Sequence, residues 1–493
     1  MTDEREYLDK RWVALALLCM AQFVVVLDAS IVNVALPTIG ADLRFDQDNL
    51  SWVVNSYVLT FGGFLLLGGR LADLLGRRRI FIAGLILFAA ASLAGGFAES
   101  EGLLIAARAV QGLGAAMLSP AALSIITTTF KDGSERNRAL GVWGAVAGSG
   151  GAAGVLLGGI LTEYAGWEWV LWVNVPIGII AALLAPRLIL ESRSDDANRS
   201  FDIPGAVTVT GGLALLVYAL VEAPEVGWGS AETLGLLAAA LVILGAFVAI
   251  ELRSASPLVP FRIFRLRTLT GANVVGLLTG ASLFSMFFFI SLYMQNVLGF
   301  SAIEAGLSYL PLAVSIILAA GLASQLVTKV GFKPVMALGM AFVAAGLAWF
   351  SQISVDGSFV GDVLGPSLLA AVGLGFSFVP TTIAAMSGVQ DREAGLASGV
   401  INTSQQVGGA LGLAILSSIA FSTIGNLAAQ GDVGPAALTD GYADAFMVGS
   451  GIAILGVIAS LTLIRNRDSK SHTEIGAGET TPVAAPAPAA ESA

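Results

Sequence analysis

Long apolar runs alternate with short polar interruptions along the chain, and the runs have the length of membrane helices. A hydrocarbon layer about 30 Å thick is crossed by about 20 apolar residues in a helix. Fourteen runs meet that requirement, over residues 12–36, 50–69, 80–98, 103–126, 140–161, 170–190, 203–221, 234–252, 269–293, 305–327, 335–353, 363–386, 397–420 and 446–464. The first run is too long for a signal-peptide core and no small-residue cleavage site follows it, so it reads as a retained span. The pattern predicts an all-α integral membrane protein.

Charge sorts by loop and supports the same count. Arg70, Arg77, Arg78 and Arg79 follow the second run, and Lys131, Arg136 and Arg138 the fourth. Arg187, Arg193 and Arg199 follow the sixth, and Arg253, Arg262, Arg265 and Arg267 the eighth. Lys329 and Lys333 follow the tenth, and Arg392 the twelfth. Of the 25 basic residues, Arg44 alone falls in a loop of the other set and Arg108 alone lies deep inside a run, Arg187 standing at the very end of the sixth. Short loops rich in Lys and Arg face the cytoplasm, so both termini are expected there. The net charge of −10 owes much to acids in the opposite loops, such as Asp46, Asp48, Glu99, Glu101, Glu222 and Glu225. No basic patch stands apart from the loop pattern, so no nucleic-acid partner is expected.

Composition removes several kinds of chemistry. The single cysteine, Cys19, lies in the first run and the single histidine, His472, near the C-terminus. An intrachain disulfide is impossible, and a Cys/His zinc site, a His-held haem or a histidine relay has no residues to build it. No lysine follows a glycine, so there is no Gly-Lys-Ser/Thr phosphate loop. No polar segment is long enough to host catalysis. The chain is expected not to be an enzyme and to hold no metal or cofactor. A polytopic protein that moves a molecule or senses one remains.

The chain also repeats itself. In "GRLADLLGRRR", Gly69, Leu71, Asp73, Gly76 and Arg78 align with Ser324, Leu326, Thr328, Gly331 and Lys333 at a constant offset of 255 residues. The same shift places runs one to five on runs nine to thirteen. This is a parallel six-plus-six duplication with two runs added between. The expected units are a six-helix bundle over 1–200, two linker helices over 201–255, a second bundle over 256–466 and an Ala/Pro-rich tail over 467–493 that is expected to be disordered.

Two ionisable residues lie deep in the runs. "QFVVVLDASIVNVALP" places Asp28 nine residues before Pro37, about 14 Å from the outer end at 1.5 Å per residue. Arg108 in "LIAARAVQGLGAA" lies five residues past Leu103, about 8 Å from the same side. Charges inside spans face the bundle interior and pair there, and long side chains bridge a gap of one turn.

These motifs resemble the major facilitator superfamily, and more narrowly its fourteen-helix drug:proton antiporters of the EmrB/QacA type. "GGRLADLLGRRRIF" resembles the loop motif between helices 2 and 3 through Gly69, Asp73, Gly76, Arg77 and Arg78, with Leu74 where arginine is frequent. Asp73 can accept from a helix N-terminus or pair with Arg77 or Arg78, a bond that forms in one conformation and breaks in the other. "LIAARAVQGLGAA" resembles the helix 4 motif through Arg108 and Gln111. "GAVAGSGGAAGVLLGG" resembles the antiporter motif of helix 5 through Gly150, Gly154, Gly158 and Gly159, with Val155 at the usual proline. "LDASIVNVALP", which carries Asn33, "GWEWVLWVNVPIG" and "EAGLASGVINTSQQVGGALG" resemble the signatures of helices 1, 6 and 13.

The resemblance implies the major facilitator fold with a 6+2+6 plan in a bacterial cell membrane. It also implies a monomer that exports hydrophobic or cationic drug-like molecules, antibiotics among them, driven by the proton motive force. Asp28 and Arg108 are expected to couple protons, since burial disfavours the carboxylate and the guanidinium favours it. Gln111 and Asn33 are expected to line the cavity. Phe284 and Phe288 of "FSMFFFISLYM" are expected to face a greasy substrate or lipid. An uncoupled or symporting facilitator of the same fold, and a membrane receptor or channel, are the alternatives.

Overall fold

The computed structural model describes residues 2–45, 50, 52–131, 133–193, 202–254, 257–432, 434–465 and 467–469. Among the described residues fourteen helices are long and apolar enough to cross a membrane: α1 Lys10–Asp42, α2 Trp52–Leu75, α3 Arg77–Gly96, α4 Glu101–Thr129, α5 Ser134–Tyr164, α6 Trp169–Leu188, α7 Ile203–Ala223, α8 Ala231–Glu251, α9 Arg267–Asn296, α10 Ile303–Val330, α11 Phe332–Phe350, α12 Phe359–Met386, α13 Asp391–Ala429 and α14 Pro435–Leu463. No β-strand occurs among the described residues. Every backbone group in hydrocarbon must be satisfied within its own segment or by a packed neighbour, which leaves helices as the local solution for runs of this length.

Several helices outrun their apolar stretches. α14 starts at Pro435, eleven residues before the run at 446, and α13 spans 39 residues. The extra turns carry polar residues such as Thr439, Asp440 and Asp444, which end hydrophobicity without ending a helix. Caps set the true starts: Ser100 Oγ accepts from Leu103 N–H before α4, and Ser230 Oγ from Thr233 N–H before α8.

The helices pack in two groups with a pair beside them. α1 lies against α5 and α6, α4 against α2 and α3, and α3 against α6. In the second group α9 lies against α13 and α14, and α12 against α10 and α11. The groups meet where α5 crosses α10 and α12, and where α13 crosses α2 and α4. α7 rests on α2 and α13, and α8 rests on α7. The exterior is apolar, with Leu183, Leu241, Val242 and Ile458 all exposed. Such a surface suits lipid, not water.

The loops after the even-numbered helices gather at one end, here termed the arginine end. Two turns 255 residues apart in the sequence share a backbone feature there. Gly76 opens α3 at φ 115° and Gly331 opens α11 at φ 86°, a region open to glycine and strained for other residues. The segment after α6 caps the first: Arg77 N–H donates to Ser192 O at 2.9 Å and Arg78 N–H to Glu191 Oε1 at 3.1 Å. The segment after α14 caps the second, Lys333 N–H donating to Ser469 Oγ at 3.2 Å. Residues 467–469, expected to begin the tail, therefore pack as a helical turn because they satisfy the start of α11. The rest of the expected tail, 470–493, lies outside the described residues.

Candidate functional site

Five helices converge on Asp28. Its carboxylate is fully buried, and both oxygens accept hydrogen bonds from long or neutral polar side chains. Arg108 Nη1 of α4 donates to Oδ2 at 2.5 Å. Gln111 Nε2 of α4 and Asn174 Nδ2 of α6 each donate to Oδ1 at 2.7 Å. Gln111 sits three residues after Arg108, on the same helix face, and its Oε1 accepts from Arg108 Nη1 at 2.7 Å. Ser92 of α3 closes the ring by accepting from Gln111 at 2.7 Å and from Asn174 at 3.3 Å.

Arg108 has partners besides the carboxylate. Its Nε donates to Val53 O of α2 at 3.0 Å, and its guanidinium carbon lies 4.4 Å from the centre of the Tyr57 ring. Tyr57 is in turn tied to α1 by a hydrogen bond from its hydroxyl to Val25 O. Two atoms of the node are buried without a hydrogen-bond partner, Arg108 Nη2 and Asn174 Oδ1. A buried pair of this kind is strongly coupled to its surroundings: removing one partner alone costs about 3–5 kcal/mol, because the other charge stays buried.

The glycines of α5 bring that helix against α1 beside the node. A Cβ on Gly150 would stand 2.9 Å from Val26, one on Gly154 would run into Ser30 Oγ, and one on Gly158 would stand 2.8 Å from Ile31 O. These contacts bracket Asp28 on either side. Gly159 is buried on the same helix, and α5 stays helical through Val155.

A second polar cluster clasps the two groups at the arginine end. Asp73 of α2 is buried and accepts from Gly395 N–H at 3.0 Å and Leu396 N–H at 2.9 Å, in the first turn of α13. Arg77 donates to Asp73 Oδ1 through Nη2 at 2.8 Å and reaches the Asp391 carbonyl as well. The carboxylate thus joins a cation and a helix N-terminus, each of which favours a negative charge. Gly69 and Gly395 let the backbones touch: a Cβ on either would run into the carbonyl of the other. Arg78 takes no part in this clasp. It turns to the end of α6, where it meets Ile189 O at 3.1 Å and Glu191.

The remaining expected residues stand apart from both clusters. Asn33 is exposed and its amide donates to Ala29 O of its own helix. Phe284 is 40% exposed and lies over Gly409 of α13, while Phe288 is 37% exposed with its ring against Phe289. Gln111, expected at a cavity wall, is inside the Asp28 node. Asn174 and Ser92 escaped sequence reasoning altogether. The one available signal was an asparagine in the apolar run "WVLWVNVPIG".

Known proteins resemble the chain along most of its length. The family model described as Major Facilitator Superfamily matches residues 18–413. The chain is 45% identical over 454 residues to the cephamycin export protein CmcT of Amycolatopsis lactamdurans, covering 91% of each. It is 38% identical to the puromycin resistance protein of Streptomyces alboniger, covering 96% of this chain and 95% of that one. It is 37% identical to the lincomycin resistance protein of Streptomyces lincolnensis, covering 85% and 86%. Among solved structures, the proton:xylose symporter XylE superposes with a TM-score of 0.66 at 12% identity, covering 96% of this chain and 99% of that one. That level of identity speaks for the fold alone. With the family model matched over most of its length, and relatives aligned almost end to end, the chain belongs to the major facilitator superfamily of multi-pass membrane transporters.

Proposed function

We propose that this transporter of the bacterial cell membrane exports antibiotic-like small molecules in exchange for protons, with Asp28 as the proton carrier. The observation that carries the reading is the sealed Asp28 node. Among the described residues the buried carboxylates are Asp28, Asp73, Glu251 and Glu393, and the last three bind backbone or arginine at the arginine end. Asp28 alone of these lies deep in a span and away from that end. The names of the similar export and resistance proteins support the substrate class.

The node suits a carboxyl group that changes charge. As an anion, Asp28 satisfies three donors. Once it takes a proton, Arg108 keeps Val53 O, Gln111 Oε1 and the Tyr57 face, which offset part of the cost of leaving its charge buried. The new O–H needs an acceptor, and the unengaged Asn174 Oδ1 supplies one after a turn of its amide. The basic loops assign the arginine end to the cytoplasm, so the clasp there corresponds to an outward-facing state. In that state a proton enters from outside and the substrate leaves. Asp73 and Arg77 then release α13, the halves rock, and substrate entering from the cytoplasm favours return of the proton to that side. The two bundles, the 6+2+6 plan and a monomeric unit belong to the same reading.

Efflux from intact cells tests the coupling. In a pump-deficient bacterium expressing the chain, a panel that includes cephamycin, puromycin and lincomycin identifies a substrate. A protonophore is expected to abolish its efflux. Efflux that persists at full rate would favour the uncoupled facilitator.

A further inference from the structure

The two added helices reach the clasp through a core of their own. Val209 of α7, Phe247 of α8, and Val259 and Ile263 of the α8–α9 connection pack with Leu66 of α2 and Leu396 of α13. This cluster is separate from the large core that fills the two bundles. Leu396 is one of the two residues whose N–H groups meet Asp73. The α7–α8 turn is also pinned to α13, by a 2.6 Å hydrogen bond from Trp228 Nε1 to Ser418 Oγ.

Charge fixes the α8–α9 connection at two points. Glu251, the last residue of α8, is buried and accepts from Leu258 N–H and Val259 N–H, both at 3.1 Å. Four residues past Leu258, Arg262 Nη2 donates to Glu393 Oε1 at 2.5 Å. The Glu393 side chain is 11% exposed and that of Arg262 57%. Glu393 sits two residues before Gly395, in the short turn that opens α13. Arg77 on the Asp391 carbonyl anchors the same turn. Asp73 needs the N–H groups of Gly395 and Leu396 aimed at it, and hydrogen bonds weaken steeply as they misalign.

We propose that Glu251, Arg262 and Glu393 make the α8–α9 connection a strap that positions the first turn of α13 for Asp73. The two helices added to the six-plus-six plan thereby act on the clasp from outside both bundles. The three are positioning residues, and this inference rests on the reading of Asp73 and Arg77 as the gate latch.

The test uses the full chain in lipid nanodiscs with spin labels at Leu75→Cys and Val330→Cys in a Cys19→Ala background. Both labelled positions are exposed, at 54% and 53%, at the arginine end of α2 and of α10. Asp73→Asn reports the latch itself and is expected to populate longer distances. Arg262→Gln is expected to raise the same population roughly two- to fivefold, the range for an ion pair with one exposed partner, and Glu251→Gln, which weakens the hydrogen bonds from Leu258 and Val259, to raise it in the same direction. The exchange Arg262→Glu with Glu393→Arg is expected to restore the short distance, which a merely misfolded protein would not do. If Arg262→Gln leaves the distances unchanged while Asp73→Asn lengthens them, the strap is overturned and the latch stands. If Arg262→Gln lengthens them and Asp73→Asn does not, the strap does not act through Asp73 and the proposal also fails. If neither moves them, latch and strap fall together.

Discussion

At the scale of single residues, the Asp28 node shows how neutral groups hold a charge in a membrane interior. Arg108 neutralises the carboxylate, but Gln111, Asn174 and Ser92 fix where it sits. Replacing Asn174 by leucine removes one donor from Asp28 and one from Ser92. Hydrogen bonds to charged groups contribute about 1.5–3 kcal/mol, so substrate-driven proton exchange in proteoliposomes is expected to fall about tenfold or more. An unchanged rate would remove Asn174 from the mechanism. The pairing of Asp28 with Arg108 was legible in the sequence, because both charges stand out against apolar runs and their depths differ by only about one turn. Asn174 and Ser92 were not. A neutral amide or hydroxyl costs too little in a helix to mark itself, and nothing in local spacing says that it faces a carboxylate 146 residues away.

At the scale of helices, close approach decides function. Gly69 and Gly395 allow α2 and α13 to meet at the clasp. Gly69→Ala is expected to push the helices apart, weakening the closed arginine end by about 1–3 kcal/mol, the usual cost of overpacking. A thiol probe at an arginine-end position should then label faster. Gly102→Ala is the matched control: a Cβ there meets nothing within 4 Å, and its effect is expected to stay within about 0.5 kcal/mol. Equal labelling in both variants would contradict the packing argument. Helix number and order were readable from the apolar runs, while helix ends were not, since α13 and α14 continue into polar turns. The partner of Asp73 was readable in kind, a helix N-terminus, but not in identity. Gly395 lies 322 residues further along the chain, beyond the reach of any local pattern.

Across the whole molecule, positions related by the 255-residue offset differ in chemistry. At the 255-residue offset, Asp28, Ser92, Arg108 and Gln111 correspond to Leu283, Leu347, Val363 and Pro366, so the charged node belongs to the first half. The clasp is likewise charged on one side. Asp73 corresponds to Thr328, which accepts a neutral 2.9 Å hydrogen bond from Asn137 where α5 crosses α10. Orientation in the membrane is tested on cells carrying Cys19→Ala. An impermeant thiol reagent is expected to label Glu99→Cys from outside, and Gln390→Cys only after permeabilisation. Both positions are exposed. The reverse pattern would invert the assignment of the clasp to the cytoplasm.

The central claim is that Asp28 carries the proton, and Asp28→Asn tests it most directly. Asparagine keeps the size and two acceptor-donor positions of the side chain but cannot titrate. In proteoliposomes loaded with a pH-sensitive dye, addition of a transported antibiotic to the wild-type protein is expected to drive proton movement in the opposite direction. The Asp28→Asn protein is expected to bind the antibiotic and move no protons. Proton movement at the wild-type rate would contradict the account.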